Sequence, residues 1–202
     1  MSLLQRILPW FLYSLPLVWI SFHVTSTANP VEYLYHRTGE WTAYGLVLTL
    51  WITPLRQWLG ALRGLTWLKR LPKYRRGLGI AVFVYALLHL MVHILDNWDP
   101  QILFDDLQRL YLLTGFVSFL LLLLLAVTSN NVSMRRLGGK RWKQLHRVVY
   151  LAALLAAVHM FLNEKSDSAQ ALFLFVPLFC AEFFRLFLWL RSRASNEVST
   201  SS

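Results

Sequence analysis

Lys140–Phe161, KRWKQLHRVVYLAALLAAVHMF, decides how this chain folds. The stretch passes from a basic flank into an uncharged run and carries two histidines, His146 and His159, thirteen residues apart. A third histidine, His89, lies deep in another apolar run, Gly77–Leu95. Ionisable side chains inside hydrocarbon are costly and by default mark a functional site. Imidazole is also well suited to holding haem iron. The expectation is a membrane helix that helps hold haem in an electron-carrying protein.

Composition outside the stretch supports a membrane chain. Of 202 residues, 56% are hydrophobic and 15% aromatic, and mean hydropathy is +0.47. Soluble domains run nearer 45–50% apolar, about the average usage. Here the apolar residues also fall in long uncharged blocks, several near the roughly 20 residues a membrane helix needs. The net charge of +10 would suit nucleic acid, but the basic residues lie in loops between apolar runs, which argues against such a partner. Cys180 is the single cysteine; alone it forms no internal disulfide, CxxC pair or iron–sulfur site, and it reads as a small buried hydrophobe. Ile7–Phe22 has the length of a signal-peptide core but no cleavage site of the A-x-A kind follows it.

Six apolar segments are predicted: Ile7–Val24, Trp41–Leu59, Gly77–Leu95, Leu110–Thr128, Gln144–Leu162 and Ala169–Leu190. The second is interrupted by Pro54 and Arg56, and the sixth carries Glu182 and Arg185 at a spacing that lets them pair. Basic residues cluster from Arg56 to Arg76, and again from Arg135 to Lys143 with Arg147 beyond. The alternate loops are acidic: Glu32 and Glu40; Asp96, Asp99, Asp105 and Asp106; Glu164 and Asp167. Basic loops stay in the cytoplasm, so the expectation is an all-α integral membrane protein, a six-helix bundle with both termini cytoplasmic. Leu55–Pro72 mixes tryptophans, leucines and basic residues and can lie along the interface against anionic lipid; its plainer reading is an ordinary basic loop. Trp10, Trp98, Trp142 and Trp189 read as interfacial anchors. Residues 1–191 make one domain without evident internal repeat, followed by a short polar tail, 192–202, expected to be disordered.

Depth decides which histidines can meet. At ~1.5 Å per residue, His89 lies roughly 20 Å along its helix from Arg76, and His159 about 18–24 Å from the basic edge at Lys143 and Arg147. Both helices run the same way, so the two imidazoles reach similar depth and can clamp one haem iron between them. The bland alternative is a pair of satisfied helix–helix hydrogen bonds. His93, one turn beyond His89 on roughly the same face, is a rival that depth does not separate; it also suits a haem propionate. His146 sits at the basic end of its helix, about 19 Å from His159, and is a candidate for a second haem. Fourteen residues before His89, where an opposing inner ligand would stand, is Arg75. An inner haem would then be five-coordinate, differently ligated or missing. His36, in HRTGEW, is placed on an outer loop, and His23, ending the first helix, is assigned no role.

HRTGEWTAYGLVLTLWITPLR, RRGLGIAVFVYALLHL and RRLGGKRWKQLHRVVYLAALLAAVHM resemble the MsrQ (YedZ) family, part of the ferric-reductase-like transmembrane superfamily. Thr53–Arg56, Leu88–Leu90 and the W-x-x-L-H-x-x-x-Y run at Trp142–Tyr150 carry the likeness, which spans Val31–Phe161. The resemblance implies a bacterial inner-membrane subunit that binds haem b and is associated with FMN. It implies electrons drawn from the quinone pool or a cytosolic flavin reductase and passed to MsrP, a periplasmic molybdopterin enzyme that reduces methionine sulfoxide in oxidised proteins. By position, His89, His146 and His159 match the family's haem-associated histidines. Arg75 departs from the superfamily's second histidine on the third helix, and no residue identifies an FMN site.

With 202 residues taken up by six helices, the expectation is that no nucleotide-binding domain is present and that electrons come from another carrier. Two rival readings are a ferric reductase or oxidase core acting directly on metal ions or oxygen, and a helical membrane scaffold without redox chemistry.

Overall fold

The computed structural model describes residues 3–59, 66–106, 108–163 and 167–200. Among them every regular element is helical: α1 (Leu3–Val24), α2 (Pro30–Leu59), α3 (Arg75–Asp96), α4 (Pro100–Asp106), α5 (Leu110–Thr128), α6 (Asn131–Leu145), α7 (Val149–Leu162) and α8 (Ser168–Thr200), with 3-10 helices at Thr66–Tyr74 and His146–Val148. Five stretches are long and apolar enough to cross a membrane: Ile7–Val24, Leu68–Asp96, Leu110–Thr128, Asn131–Leu162 and Ser168–Arg193. Their outer faces are apolar, with Phe22, Phe173 and Phe183 exposed by 77%, 85% and 72%. Such a surface suits lipid, where helices satisfy their own backbone polar groups.

The sixth span lies in α2, the least apolar of the long helices and the most enclosed. It carries Glu32, Arg37, Glu40 and Arg56, yet Leu46 and Leu50 keep only 1% exposure each. α1, α3, α7 and α8 all pack against it. A helix wrapped by protein needs no continuous lipid-facing stripe, which is why its composition understates it.

α2 also starts at Pro30, a full eleven residues before the predicted Trp41. The Asn29 side chain accepts from the Glu32 backbone N–H at 3.2 Å, and its amide donates to the Glu32 carboxylate at 3.0 Å. With Pro30 as the first helical residue, this is a helix start of the capping-box kind. His36 is therefore on a helix, not on the outer loop the sequence suggested.

Three further segments differ from expectation. Asn131–Leu145 is helical where a basic loop was predicted; the Asn130 side chain caps it by accepting from Ser133 N–H at 2.7 Å, and it breaks at Gly138, whose φ of 73° favours glycine. α8 runs on to Thr200, so residues 192–200 of the tail are helical. In the Leu55–Pro72 segment, Leu55–Leu59 complete α2 and Thr66–Pro72 enter the 3-10 helix. Residues 60–65 of that segment, Arg63 included, lie outside the described residues, as does Glu164 of the acidic loop.

The tightest packing joins α2 to α3 and α5 to α7. Small residues let these backbones approach, as is usual between membrane helices: a Cβ on Gly45 would stand 2.7 Å from the Val82 side chain. Polar ties complete the frame. Ser118 Oγ donates to the Ala152 carbonyl at 2.9 Å between α5 and α7, and Tyr85 Oη to the Tyr13 carbonyl at 2.8 Å between α3 and α1. Arg76 donates to the Ser129 carbonyl (2.6 Å) and to Asn131 Oδ1 (2.7 Å), holding the start of α3 to the α5–α6 corner.

Candidate functional site

A cavity of about 440 Å³ opens between α2, α3, α5 and α7, near the C-terminal ends of α3 and α7. Its walls are largely apolar, with Ala43, Leu90, Phe116, Phe119 and Met160 among them. Its volume falls in the range of roughly 300–1,000 Å³ typical of ligand sites.

His89 of α3 and His159 of α7 both line it. Their ring centroids stand 6.2 Å apart with planes at 78°. Each imidazole is held from behind. His89 Nδ1 meets the Tyr35 carbonyl of α2 at 3.0 Å, and His159 Nδ1 meets the Tyr111 carbonyl of α5 at 2.7 Å. A carbonyl only accepts, so in both rings Nδ1 carries the proton. Nε2 is left as the lone-pair nitrogen on each. The neutral Nδ1–H tautomer, with its lone pair on Nε2, is a form that binds a metal.

Glycines make the space for this arrangement. A Cβ on Gly39 would stand 3.0 Å from His89 Cε1, and one on Gly115 only 2.5 Å from His159 Nδ1. Sequence reasoning missed Tyr35 and Tyr111, because any residue has a carbonyl and the side chain leaves no clue to its use.

Of the other histidines, His93 and His36 share the cavity and His23 and His146 do not line it. His93, the rival to His89, also lines the cavity, but its ring neighbours Tyr35 at 5.9 Å and its Nδ1 meets the Asn97 amide at 3.4 Å. The ring paired with His159 is that of His89. His36 lines the cavity as well and faces Glu32 at 3.9 Å. His23 stacks on Trp19 at 4.6 Å and bonds the Trp19 carbonyl.

His146 is not brought to this cavity. Its ring stacks on Trp142 at 3.8 Å, and its Nε2 meets Thr128 Oγ1 at 3.3 Å. Arg75, at the same end of the bundle, donates to Thr53 Oγ1 at 2.7 Å. Nearby, Arg185 donates to Tyr150 Oη at 2.9 Å and pairs with Glu182. Among the described residues no group of three or more His, Cys, Asp or Glu side chains is placed to hold a bare metal ion. Two imidazoles with ring centres 6.2 Å apart on the wall of one cavity are a different kind of site.

Residues 38–157 match the family described as ferric reductase like transmembrane component. The chain is 38% identical over 173 residues to the protein-methionine-sulfoxide reductase heme-binding subunit MsrQ of Ralstonia nicotianae, covering 82% of this chain and 76% of the relative. It is 37% identical over 194 residues to the MsrQ subunit of Brucella ovis, covering 91% and 81%. With the MsrQ subunit of Herminiimonas arsenicoxydans the identity is 44% over 138 residues, covering 65% and 59%. No solved structure matches the chain. With the family match spanning more than half its length and relatives aligned along most of it, the chain belongs to the MsrQ subunits of the ferric-reductase-like transmembrane family.

Proposed function

We propose that this protein is a haem b electron-transfer subunit whose iron is held by His89 and His159. The observation that carries the reading is the spacing of the two rings across one cavity. Metal–imidazole nitrogen bonds run about 2.0–2.1 Å, so two rings sharing one metal, each centre set back by the radius of a five-membered ring, stand roughly 6 Å apart. The rings of His89 and His159 stand 6.2 Å apart. Both present Nε2 as the unprotonated nitrogen, and the cavity beside them has apolar walls.

When bound, haem supplies reversible one-electron chemistry. The chain's own part is to hold and tune it. His89 and His159 would together hold the iron, and two imidazole ligands would favour electron transfer over oxygen binding. Leu90, Phe116 and Phe119 give the site apolar walls. The Tyr35 and Tyr111 carbonyls orient the rings and raise their basicity.

The proposal takes one haem per chain. His146 has its Nε2 against Thr128, and Arg75 rather than a second imidazole stands on α3 at that end. FMN has no residue attached to it among the described ones, and no step is assigned to it.

The loop charges support placing the Arg75 end in the cytoplasm of a bacterial inner membrane. Electrons then pass from quinone or a cytosolic flavin reductase to a periplasmic molybdopterin methionine sulfoxide reductase of the MsrP kind. The relatives' name as heme-binding subunits of a protein-methionine-sulfoxide reductase supports an acceptor of that activity.

A pyridine haemochrome assay on purified protein tests the cofactor: one haem b per chain is expected, and colourless protein ends the reading. Reduced protein should be re-oxidised faster by MsrP than by ferric chelates. The reverse order would instead favour a membrane ferric reductase.

A further inference from the structure

The two imidazoles are held by one device used twice. Tyr35–Gly39 reads YHRTG on α2, and Tyr111–Gly115 reads YLLTG on α5. Both are Y-x-x-T-G, in helices that are otherwise unlike. Each packs on the helix bearing one of the two histidines, and these are the two tightest helix pairs of the fold.

The parts correspond one by one. The tyrosine carbonyl takes the Nδ1 proton of its histidine, at 3.0 Å for His89 and 2.7 Å for His159. The tyrosine ring stacks on the same imidazole, at 4.4 Å and 30° for Tyr35, and 6.1 Å and 23° for Tyr111. The glycine, one turn on, leaves the gap that the imidazole edge enters. The threonine hydroxyl then donates to that same tyrosine carbonyl, at 3.1 Å from Thr38 and 2.8 Å from Thr114. Thr38 also shares its proton with the Leu34 carbonyl at 2.7 Å.

We infer that each Y-x-x-T-G segment is an imidazole cradle, in which glycine and tyrosine position the histidine and threonine sets how strongly the carbonyl pulls on its Nδ1 proton. The inference rests on the haem reading above. The chemistry follows from a shared acceptor. A carbonyl that pulls the Nδ1 proton makes the imidazole a stronger donor to iron and stabilises the oxidised state. A hydroxyl bonding the same oxygen draws on the same electron density and weakens that pull. Thr38 and Thr114 therefore hold the iron potential up. Thr114 has the larger share, because its bond is shorter and undivided. All four are positioning residues: Gly39 and Gly115 lie against the imidazoles, and Thr38 and Thr114 act through the tyrosine carbonyls.

The test uses the full chain purified in detergent, read by haem content, low-spin spectrum and potentiometric titration. Thr38→Val and Thr114→Val keep shape and remove only the hydroxyl. Both should retain full haem while the midpoint potential moves negative, more for Thr114→Val, and furthest in the double variant. Gly115→Ala should lower haem affinity by roughly 10–100-fold, the usual effect of disturbing a ligand's support, and Gly39→Ala by less. Gly79, whose added Cβ would meet nothing within 4 Å, is the control for helix glycines, and Gly79→Ala should match the parent. Colourless parent protein would remove the haem reading and the cradle with it. A coloured parent whose threonine variants titrate at the parent potential would leave the haem reading standing and overturn the cradle.

Discussion

α7 and the turn before it carry a histidine towards each end, and the fold treats the two in opposite ways. At the C-terminal end, His159 uses Nδ1 on the Tyr111 carbonyl and keeps Nε2 for the cavity it shares with His89. At the other end, His146 has Nε2 against Thr128 Oγ1 and its face covered by Trp142. The partners on α3 differ as well: His89 at one end, Arg75 bonded to Thr53 at the other. On the reading proposed above, depth and apolar surroundings do not by themselves separate a ligand from a structural histidine. The proposed separation rests on the bonds each ring makes and on whether a second imidazole stands beside it.

The contrast is easiest to break by counting haem. His89→Ala or His159→Ala should lose essentially all of the low-spin haem absorbance, and His146→Ala should keep the parent haem-to-chain ratio. Halved haem in the His146 variant would mean that both ends hold a cofactor.

Stability sharpens the contrast next. Arg75→Met removes a charged donor from Thr53, which should cost about 1.5–3 kcal/mol in detergent-based unfolding while haem content stays at parent level. Haem loss in that variant would make the Arg75 end part of the site. Ser118→Ala breaks the buried bond that holds α5 to α7 behind the cavity; a loss of about 1 kcal/mol is expected, with His159 still ligating by its unchanged spectrum. The smallest effect is expected from Trp142→Phe, which preserves a ring over His146 and removes only the donor to the Thr128 carbonyl, about 0.5–1 kcal/mol. An effect on the haem potential from so remote a change would erase the separation between the two ends.

Much of this was legible before any coordinates. Uncharged runs such as Leu110–Thr128 announce themselves, and the alternation of basic and acidic loops sorts them into a bundle. The start of α2 was legible but missed: Asn29, Pro30 and Glu32 spell a helix start, and only the charges at Glu32, Arg37 and Glu40 disguised it as a loop. The helix at Asn131–Leu145 was hidden differently, since a basic segment broken by Gly138 has no apolar period to reveal it. The repeated Y-x-x-T-G also stood in plain view. Five residues are too few to call a repeat until both copies are seen to touch a histidine in the same way.

By itself, the sequence determined that the chain is built of membrane helices and that His89 and His159 lie at matching depth. A fixed rise per residue turns residue counts into distance along a helix axis. Only the tertiary structure decided that these two rings stand 6.2 Å apart and that His146 sets its Nε2 against a threonine. Rotation about each axis, and with it the choice of neighbours, comes from the packing of side chains belonging to other helices, and no single helix encodes it.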